Sequence, residues 1–184
     1  MEVIKRIQSR GVIETSHRVF ALCSNVWSYA VTLGKVERNI TTDIDKRYAL
    51  IPAPDRNFPT ITNEKEIAAL MENIESYNGD FRVKAALKLA ALTAQRPFNV
   101  RSIEWSEVDF EKSIWRIPAE KMKMKVEHIV HLSKQALDVL EGMRVYTGDG
   151  KYVFPSVKTR SQPLSDNALN GALRRMGYSI EDVS

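Results

Sequence analysis

The sequence predicts a mainly α-helical protein with one small three-stranded antiparallel β-sheet. Long stretches of the 184 residues carry apolar side chains every three or four positions, which is the period of a helix. Three runs in the middle of the chain, EVDF, SIWRIP and EHIVHLS, are instead short and rich in β-branched or aromatic residues, as strands are. Three prolines in RYALIPAPDRNFPTIT break the regular pattern, so we place a linker at residues 52–60 between residues 1–51 and 61–184.

The first part of the chain predicts two helices. A short helix in residues 1–10 stops at Gly11, and a longer one covers IETSHRVFALCSNVWSYAVTLGKV with Gly34 as its C-terminal stop. Because Cys23 lies within the apolar pattern of the longer helix, we interpret it as an inert core thiol rather than a nucleophile. The predicted apolar stripe comprises Val19, Leu22, Cys23, Val26, Trp27 and Ala30.

Two helical patterns and a proline precede the predicted strands. TNEKEIAALMENIESY begins with Thr62 or Asn63 as an N-cap and has Glu66 at the capping-box position. VKAALKLAAL predicts a largely buried helix, and Pro97 suits the first position of the helix after it. The positions that we expect to face the core are Ile67, Leu70, Met71, Ile74, Val83, Ala86, Leu87, Ala90, Ala91, Val100 and Ile103.

Helices return after the strands. SKQALDVLEGMRVYTG predicts a helix, KYVFPS a short extended segment, and LSDNALNGALRRMGYS a last helix capped by Ser165 or Asp166. The second part of the chain should therefore consist of helices around the small sheet. The inward residues of its last two helices are Leu137, Leu140, Met143, Leu169, Ala172, Leu173 and Met176.

The composition excludes several classes of protein. A formal net charge of +4 and a pI of about 9.2 permit a polyanionic partner without requiring one. The single cysteine excludes an internal disulfide and fits a reducing cytoplasm. No signal peptide or membrane-spanning run is visible, the three scattered histidines are too few for a metal site, and no glycine-rich phosphate loop occurs.

Arg96 is the first candidate functional residue. It lies directly before Pro97 at a break between two helical patterns, and so at a helix–helix corner beside a helix N-terminus. Free backbone N–H groups and the helix dipole favour anions there, and a guanidinium adds a planar fork that fits phosphate oxygens. The alternative is an arginine that pairs with a core carboxylate or caps a carbonyl, and position alone favours that alternative.

The segment AEKMKMKVEH, which joins the second and third predicted strands, is the second candidate. In an extended conformation Lys121, Lys123 and Lys125 point to one side, and Met122 and Met124 can anchor the hairpin from the other. The lysines would then form a mobile cationic finger that could follow DNA and give a proton to a leaving oxygen. The alternative is a solvated edge, because lysines commonly protect edge strands from aggregation.

Both candidates stand within a series of ordered motifs. From residue 92 onward the chain contains LT-x-x-R-P, W-S-E-x-D-F, W-x-I-P-A-E-x-M-K-M, H-x-V-x-L-S-x-Q-A-L, Y-V-F-P-S and S-D-N-x-L-N-x-A-L-R-R-M-G-Y. This series resembles the tyrosine recombinases, specifically the phage and genomic-island integrases. R-V-F-A-L-C-S-N-V-W-S-Y-A-V-T-L-G is similar to a DNA-facing helix of that family. The resemblance implies that residues 1–51 end a helical core-binding domain and that residues 61–184 are the N-terminal part of the catalytic domain.

The resemblance also implies roles for five basic residues. Arg96 matches the first catalytic arginine, which contacts the scissile phosphate, and Lys123 matches the lysine that protonates the leaving 5′ oxygen. Lys121, Lys125 and Arg18 would bind DNA. In the reaction of this family, a tyrosine attacks the phosphodiester to give a 3′-phosphotyrosyl link and a free 5′-hydroxyl. An arginine stabilises the charge that grows on the phosphate, and a lysine supplies the proton that the leaving oxygen takes.

The implied cofactors, partners and location follow from the same chemistry. The phosphotyrosyl bond conserves the energy for religation, so no metal or nucleotide cofactor is needed. The partners would be double-stranded DNA attachment sites, on which the full-length protein assembles as a tetramer. The location would be the cytoplasm of a bacterial host cell, and the protein would have no membrane partner.

Several positions depart from the family pattern. Phe98, Asn99 and Val100 replace G-E-L in R-P-G-E-L, which removes an acid that could pair with nearby basic groups, and His131 stands where a proline is usual. The H-x-x-R box and the nucleophilic tyrosine of the family are not found, since none of the six tyrosines has the required context. We therefore expect a fragment or remnant that binds DNA without cleaving it. The alternative is a non-catalytic DNA-binding remnant or accessory protein of the same fold.

Overall fold

In a computed structural model of the protein, residues 1–53 and 60–179 are described. The chain divides into two compact units, Met1–Asn57 and Phe58–Ser184. The predicted linker falls largely on residues 54–59, which lie outside the described ranges, and its bounds stay a prediction.

The first unit consists of helices in its described part. Gly11 and Gly34 follow the two longer helices with φ of 77° and 64°, in the left-handed region that favours glycine, which confirms both as the predicted stops. Ile4, Phe20 and Leu50 form the small core of this unit. Its elements are α1 (Glu2–Gln8), α2 (Ile13–Thr32), a 3₁₀ turn (Ile40–Asp43) and α3 (Lys46–Ala49).

Small polar residues line the face of α2 that packs within this unit. Ser16 and Phe20 are buried one turn apart. One turn further along the same face, the backbone carbonyl of Ser24 accepts a hydrogen bond from Asn39 Nδ2 at 3.1 Å, and its hydroxyl accepts one from Thr41 Oγ1 at 2.9 Å. This face of the helix therefore meets the polar groups around the 3₁₀ turn.

The predicted apolar stripe of α2 is only partly right. Val19 packs against the core, and Trp27 and Ala30 are half-buried. Leu22 and Val26 are exposed, and so is Cys23, which we expected to be a core thiol. The polar groups of the 3₁₀ turn need hydrogen-bond partners, which serine can supply and leucine or valine cannot. The hydrogen bonds between serines of α2 and the 3₁₀ turn, rather than the apolar period, therefore determine which face of this helix is covered.

The second unit contains the predicted sheet. Its strands β1 (Val108–Asp109), β2 (Ile114–Ile117) and β3 (His128–His131) are antiparallel in the order β1-β2-β3, which confirms the sheet inferred from the three short runs. Two 3₁₀ turns, Trp105–Glu107 and Ala119–Lys121, flank β1 and β2. The helices of its described part are α4 (Glu64–Glu75), α5 (Phe81–Thr93), α6 (Pro97–Arg101), α7 (Lys134–Thr147) and α8 (Ala168–Arg175).

The core of the second unit is built on β2 and α5. Trp115 and Ile117 of β2 are fully buried, and they join Leu89 of α5, Leu140 of α7 and Phe154 in one cluster. α5 contacts α4, α6, α7 and α8, so it is the central helix of the unit. The helix that ends next to Arg96 is therefore held firmly on several sides.

The helix ends agree with the sequence in one case and differ in another. The Asn63 side chain accepts hydrogen bonds from two backbone N–H groups at the start of α4, which confirms it as an N-cap. α8 begins after Asn167, whose side chain makes no capping bond, so the predicted caps Ser165 and Asp166 are wrong. Of the residues in the second unit that we expected to face the core, Ile67 and Ala91 are exposed.

An ion pair at the start of α5 ties this helix to the extended segment after α7. Asp80 caps α5 by accepting from the backbone N–H of Arg82 at 2.9 Å. The Arg82 guanidinium bonds to both Asp80 carboxylate oxygens, at 3.0 and 2.7 Å, and also donates to the carbonyl of Ser156 at 3.2 Å. Chiefly through the guanidinium hydrogen bonds, the pKa of the Asp80 carboxyl is lowered from its ordinary value of 3.8.

We expect Asp80→Asn to lower the free energy of unfolding at pH 7 by about 1 kcal/mol, because the amide can keep the cap but loses the charge that Arg82 pairs with. A lowered pKa contributes stability above the ordinary value of 3.8, and that contribution is lost as the pH falls through the folded-state pKa. The difference between wild type and variant should therefore shrink at acid pH. Urea unfolding of both proteins at neutral and acid pH measures it.

Asp138→Asn is the matched control for this experiment. Asp138 pairs with Lys134 one turn away on the exposed surface of α7. Its replacement should change the free energy of unfolding by less than about 0.5 kcal/mol at either pH. An Asp80→Asn effect of the same size at both pH values would contradict the assignment of this carboxylate.

Candidate functional site

Arg96 occupies the corner between α5 and α6. α5 ends at Ala94, which adopts a left-handed conformation with φ of 51°, and Pro97 then begins α6 with Arg96 as its N-cap. The Arg96 side chain is exposed, and its guanidinium has no hydrogen bond or ion pair within residues 1–53 and 60–179. In that part of the chain, neither a core carboxylate nor a capped carbonyl occupies this arginine.

Asn99 connects the corner with the loop between β2 and β3. Its side chain is 2% exposed, and its Nδ2 lies 3.5 Å from the Sδ of Met122 in that loop. Its Oδ1 is buried without a hydrogen-bond partner among the described residues. Because Arg96 is the N-cap of the helix that carries Asn99, this contact brings the start of α6 next to the loop.

The loop between β2 and β3 is not the extended hairpin that the sequence predicts. A 3₁₀ turn covers Ala119–Lys121, and Lys125 adopts a left-handed conformation with φ of 54°. Met122 packs against the core as expected, whereas Met124 is exposed and anchors nothing in the described structure. The two-residue alternation of an extended chain is lost, so the three lysines do not share one face.

Lys121 points into the protein, which corrects its expected place on the cationic finger. Its side chain is 16% exposed, and its ammonium donates to the backbone carbonyl of Ser102 at 2.7 Å. It also pairs with Glu104 at 3.0 Å and, at closer range, with Glu107. The second carboxylate oxygen of Glu107 accepts from the indole N–H of Trp115 at 3.0 Å.

Two lysines of the loop remain available to a ligand. Lys123 is exposed and its ammonium has no polar contact with any described residue, and Lys125 is exposed with only a 3.4 Å approach to the carbonyl of Glu120. With Arg96 they make three exposed cationic side chains, at the start of α6 and in the loop that α6 contacts. We name this set, Arg96, Lys123 and Lys125, the basic site.

The carboxylates near the basic site come from outside the R-P motif. Asn99 holds no charge, while Glu104 and Glu107 are engaged by Lys121. Glu104 also lies 3.5 Å from the ammonium of Lys151, and its charge is the main cause of the raised pKa of that lysine. Glu104 and Glu107 are thus paired with Lys121 and Lys151 and do not engage the three residues of the basic site.

Arg101, on the same helix as Arg96, has a structural role that sequence reasoning missed. It donates to the carbonyl of Leu164 at 3.0 Å and pairs with Asp166, and its guanidinium lies 5.0 Å from the centre of the Phe98 ring. These contacts tie α6 to the segment that precedes α8. No local pattern reveals them, because the first partner lies 63 positions further along the chain.

Arg18, the remaining predicted DNA-binding residue, belongs to the first unit. It lies on the exposed surface of α2, where it pairs with Glu14 one turn earlier. Such a pair between exposed groups is weak and can be exchanged for another anion.

Two further searches concern the described residues only. They contain no group of three or more His, Cys, Asp or Glu side chains that could hold a metal ion. Among their helices, none has the length and apolar character needed to cross a membrane.

Comparison with known sequences identifies related proteins. Residues 60–183 match the phage integrase family, and residues 1–47 match the phage integrase central domain. The integrase of Enterobacteria phage P4 is 32% identical over 190 aligned positions, which cover 97% of this chain and 43% of that protein. The prophage integrase IntA of Escherichia coli K12 is 30% identical over 96% of this chain and 42% of its own length. The chain thus spans less than half the length of these relatives.

Comparison with solved structures shows the fold. A lambda integrase (residues 75–356) dimer bound to a COC′ core site superposes with a TM-score of 0.71 at 18% identity, over 99% of this chain and 63% of the other. The Tn1549 transposon integrase (residues 82–397) in complex with circular intermediate DNA gives 0.69 at 11% identity, over 95% and 61%.

The two arginines of α6 should respond differently to replacement. Arg96→Ala should change the free energy of unfolding by less than about 0.5 kcal/mol, because the side chain is exposed and unpaired within the described residues. Arg101→Ala should lower it by about 1 to 3 kcal/mol, since the carbonyl of Leu164 loses its charged donor. Urea unfolding at pH 7 measures both. Equal losses would mean that Arg96 is a structural residue after all.

Proposed function

The chain belongs to the phage integrase family, and we propose that it is part of a site-specific DNA recombinase that breaks and rejoins DNA through a 3′-phosphotyrosyl intermediate. Such a reaction integrates or excises a mobile element. In this proposal the 184 residues bind DNA and supply two groups of the catalytic site, Arg96 and Lys123. The relatives named as integrases support this assignment.

The observation that carries the proposal is the guanidinium of Arg96, which is exposed and has no partner among the described residues. A structural arginine of this fold, such as Arg101, is mostly buried and has several partners. Arg96 instead stands at the start of α6, the helix whose Asn99 contacts the loop that carries Lys123. An arginine and a lysine that converge without a bound carboxylate are suited to a phosphodiester.

The chemistry assigns a different task to each of the two groups. When the tyrosine oxygen attacks phosphorus, negative charge grows on the non-bridging oxygens, and the Arg96 guanidinium stabilises it. As the bond from phosphorus to the 5′ oxygen breaks, that oxygen takes a proton from the Lys123 ammonium. Lys125 contacts the neighbouring backbone, and Arg18 on α2 contributes to DNA binding from the first unit. Lys121 is left out of the DNA contacts because its ammonium is already engaged.

The partners that we propose follow from the family. A lambda integrase tetramer has been solved on a Holliday junction, and we propose that the full-length protein containing this chain also acts as a tetramer on double-stranded attachment sites. The reaction needs no metal or nucleotide cofactor, because the phosphotyrosyl bond keeps the energy of the broken phosphodiester. It takes place in the cytoplasm of a bacterial host cell.

A second candidate function is DNA binding without any catalysis. It is favoured by Asn99, a neutral and buried residue at the position where the family has an acid. A protein that had kept the fold and lost the reaction would retain the salt-sensitive binding described next and would fail the covalent test after it.

Binding of the 184-residue chain to duplex DNA should weaken steeply with salt. If about five phosphates are neutralised, the logarithm of the binding constant should fall against the logarithm of salt concentration with a slope of roughly −4 to −5. Replacing Lys123 and Lys125 together by alanine should flatten the slope by at most about two units. Fluorescence anisotropy with labelled duplex measures both quantities.

Lys134→Ala provides a matched control for the salt titration. Lys134 is an exposed lysine of α7 that pairs with Asp138, outside the basic site. Its removal should leave the slope almost unchanged. Binding that does not depend on salt, or a slope that responds equally to all three lysines, would argue against the basic site as the DNA-binding surface.

Covalent attachment separates the two candidate functions. The 184-residue chain should form no adduct with a nicked attachment-site duplex, whereas a longer protein that includes the family's H-x-x-R box and tyrosine should form one. In that longer protein, Arg96→Ala should abolish the adduct, and Lys123→Ala should slow its formation even at DNA concentrations that saturate binding. Denaturing gels detect the adduct.

Two results would count against these roles. An adduct formed by the 184 residues alone would mean that one of their own tyrosines is the nucleophile. A longer protein that binds attachment-site DNA tightly but never becomes attached would support the non-catalytic alternative.

A further inference from the structure

Lys121 lies two residues before the proposed proton donor, at the buried end of the same loop. We propose that Lys121, held by Glu104 and Glu107, is a positioning residue that fixes the β2–β3 loop so that Lys123 faces the DNA. This inference rests on the proposed function of Lys123. In this role the ammonium of Lys121 does not contact the DNA and affects the reaction only by holding Lys123 in position.

The ammonium of Lys121 is fully used inside the protein. A lysine ammonium has three N–H donors and no acceptor. Lys121 has three acceptors in reach, which are the carbonyl of Ser102 and the carboxylates of Glu104 and Glu107. No donor remains for a phosphate, so a direct DNA contact would require this cluster to come apart.

The cluster joins three separate parts of the second unit. Ser102 ends α6, the helix that starts beside Arg96. Glu107 is 7% exposed and is held by the indole N–H of Trp115, a fully buried residue of β2. Lys121 itself ends the 3₁₀ turn at the start of the loop. The position of the loop is thereby set relative to both the Arg96 corner and the sheet.

The loop is held again immediately after Lys121. Met122 packs on the core and lies against Asn99, and the backbone N–H of Lys125 bonds to the carbonyl of Met122 at 3.0 Å. Only Lys123 and Met124 lie between these contacts. Since a residue spans at most about 3.6 Å of chain, the Cα of Lys123 cannot move far while Lys121 stays in place.

Stability alone is a weak reason for such a cluster. Removing one buried charge leaves its partners uncompensated, but replacing a whole buried ion pair by apolar residues is often neutral or stabilising. What the charged arrangement adds is a single preferred geometry. Without Lys121, moreover, the carboxylates of Glu104 and Glu107 would be available to pair with Lys123 and draw it away from the surface.

The first experiment is a double-mutant cycle on DNA binding by the 184-residue chain. Lys123→Ala should weaken binding about five- to tenfold at 0.1 M salt, as expected for the loss of one phosphate contact. Lys121→Met should weaken it by a similar factor, and Lys121→Arg should restore most of the loss. The double variant should bind no more than about twofold more weakly than Lys123→Ala, because Lys121 acts through Lys123.

Glu107→Gln tests whether the cluster positions Lys123 or affects DNA binding only through its charge. The two explanations predict opposite changes in DNA affinity. This change makes the chain more positive by one charge, so long-range electrostatics alone would strengthen DNA binding. If the cluster positions Lys123, Glu107→Gln should weaken binding and should lose that effect in the Lys123→Ala background. Glu104→Gln, at a less buried carboxylate, serves if Glu107→Gln does not fold, as judged by urea unfolding.

A second measurement does not depend on DNA. The backbone N–H groups of Met122 and Lys125 bond to the carbonyls of Ala119 and Met122 within the loop. Amide hydrogen exchange by NMR should be faster at both positions in Lys121→Met and unchanged in Lys123→Ala.

The outcomes separate this inference from the proposed function. Multiplicative losses in the double variant, tighter binding by Glu107→Gln, or unchanged amide exchange in Lys121→Met would each overturn the positioning role. A wild-type chain that does not bind DNA would overturn the proposed function. The amide exchange would then still decide whether Lys121 holds the loop.

Discussion

The insertion of one ammonium group between two carboxylates and a helix-terminal carbonyl organises the functional side of the second unit. Lys121 enters from the loop, Glu104 and Glu107 come from the segment after α6, and Ser102 supplies the carbonyl. The buried indole of Trp115 completes the arrangement. Because each group would be costly to leave unpaired, the loop and the Arg96 corner are fixed relative to each other.

The parts that could be predicted from the sequence depend on local effects. Pro97 fixes its own φ and cannot continue the preceding helix, so the corner at Arg96 follows from one residue. The three strands likewise follow from short runs with a suitable composition. The place of Lys121 could not be obtained in this way, since its carboxylate partners lie 17 and 14 positions earlier in the chain. An alternating pattern describes only an extended segment, and this one begins with a 3₁₀ turn.

The same distinction explains the error in α2. The apolar period identified the helix and its Gly34 stop correctly, but it placed the exposed residues Leu22, Cys23 and Val26 in the core. Ser24 lies on the covered face because its partners Asn39 and Thr41 arrive from a turn that the helical pattern does not include. Periodicity indicates that a helix has two sides, whereas the contacts made by distant polar groups decide which side is inside.

The outward face of α2 has a practical consequence for the solubility of the chain. Leu22, Val26, Tyr29 and Leu33 follow one another at helical spacing and are between 53% and 64% exposed. A continuous apolar ridge of this kind favours self-association at the high concentrations used for spectroscopy. The net charge of +4 provides only modest electrostatic repulsion between molecules. Placing lysine on this ridge would improve sample behaviour, and it would leave Arg96 and Lys123 unchanged, since both belong to the second unit.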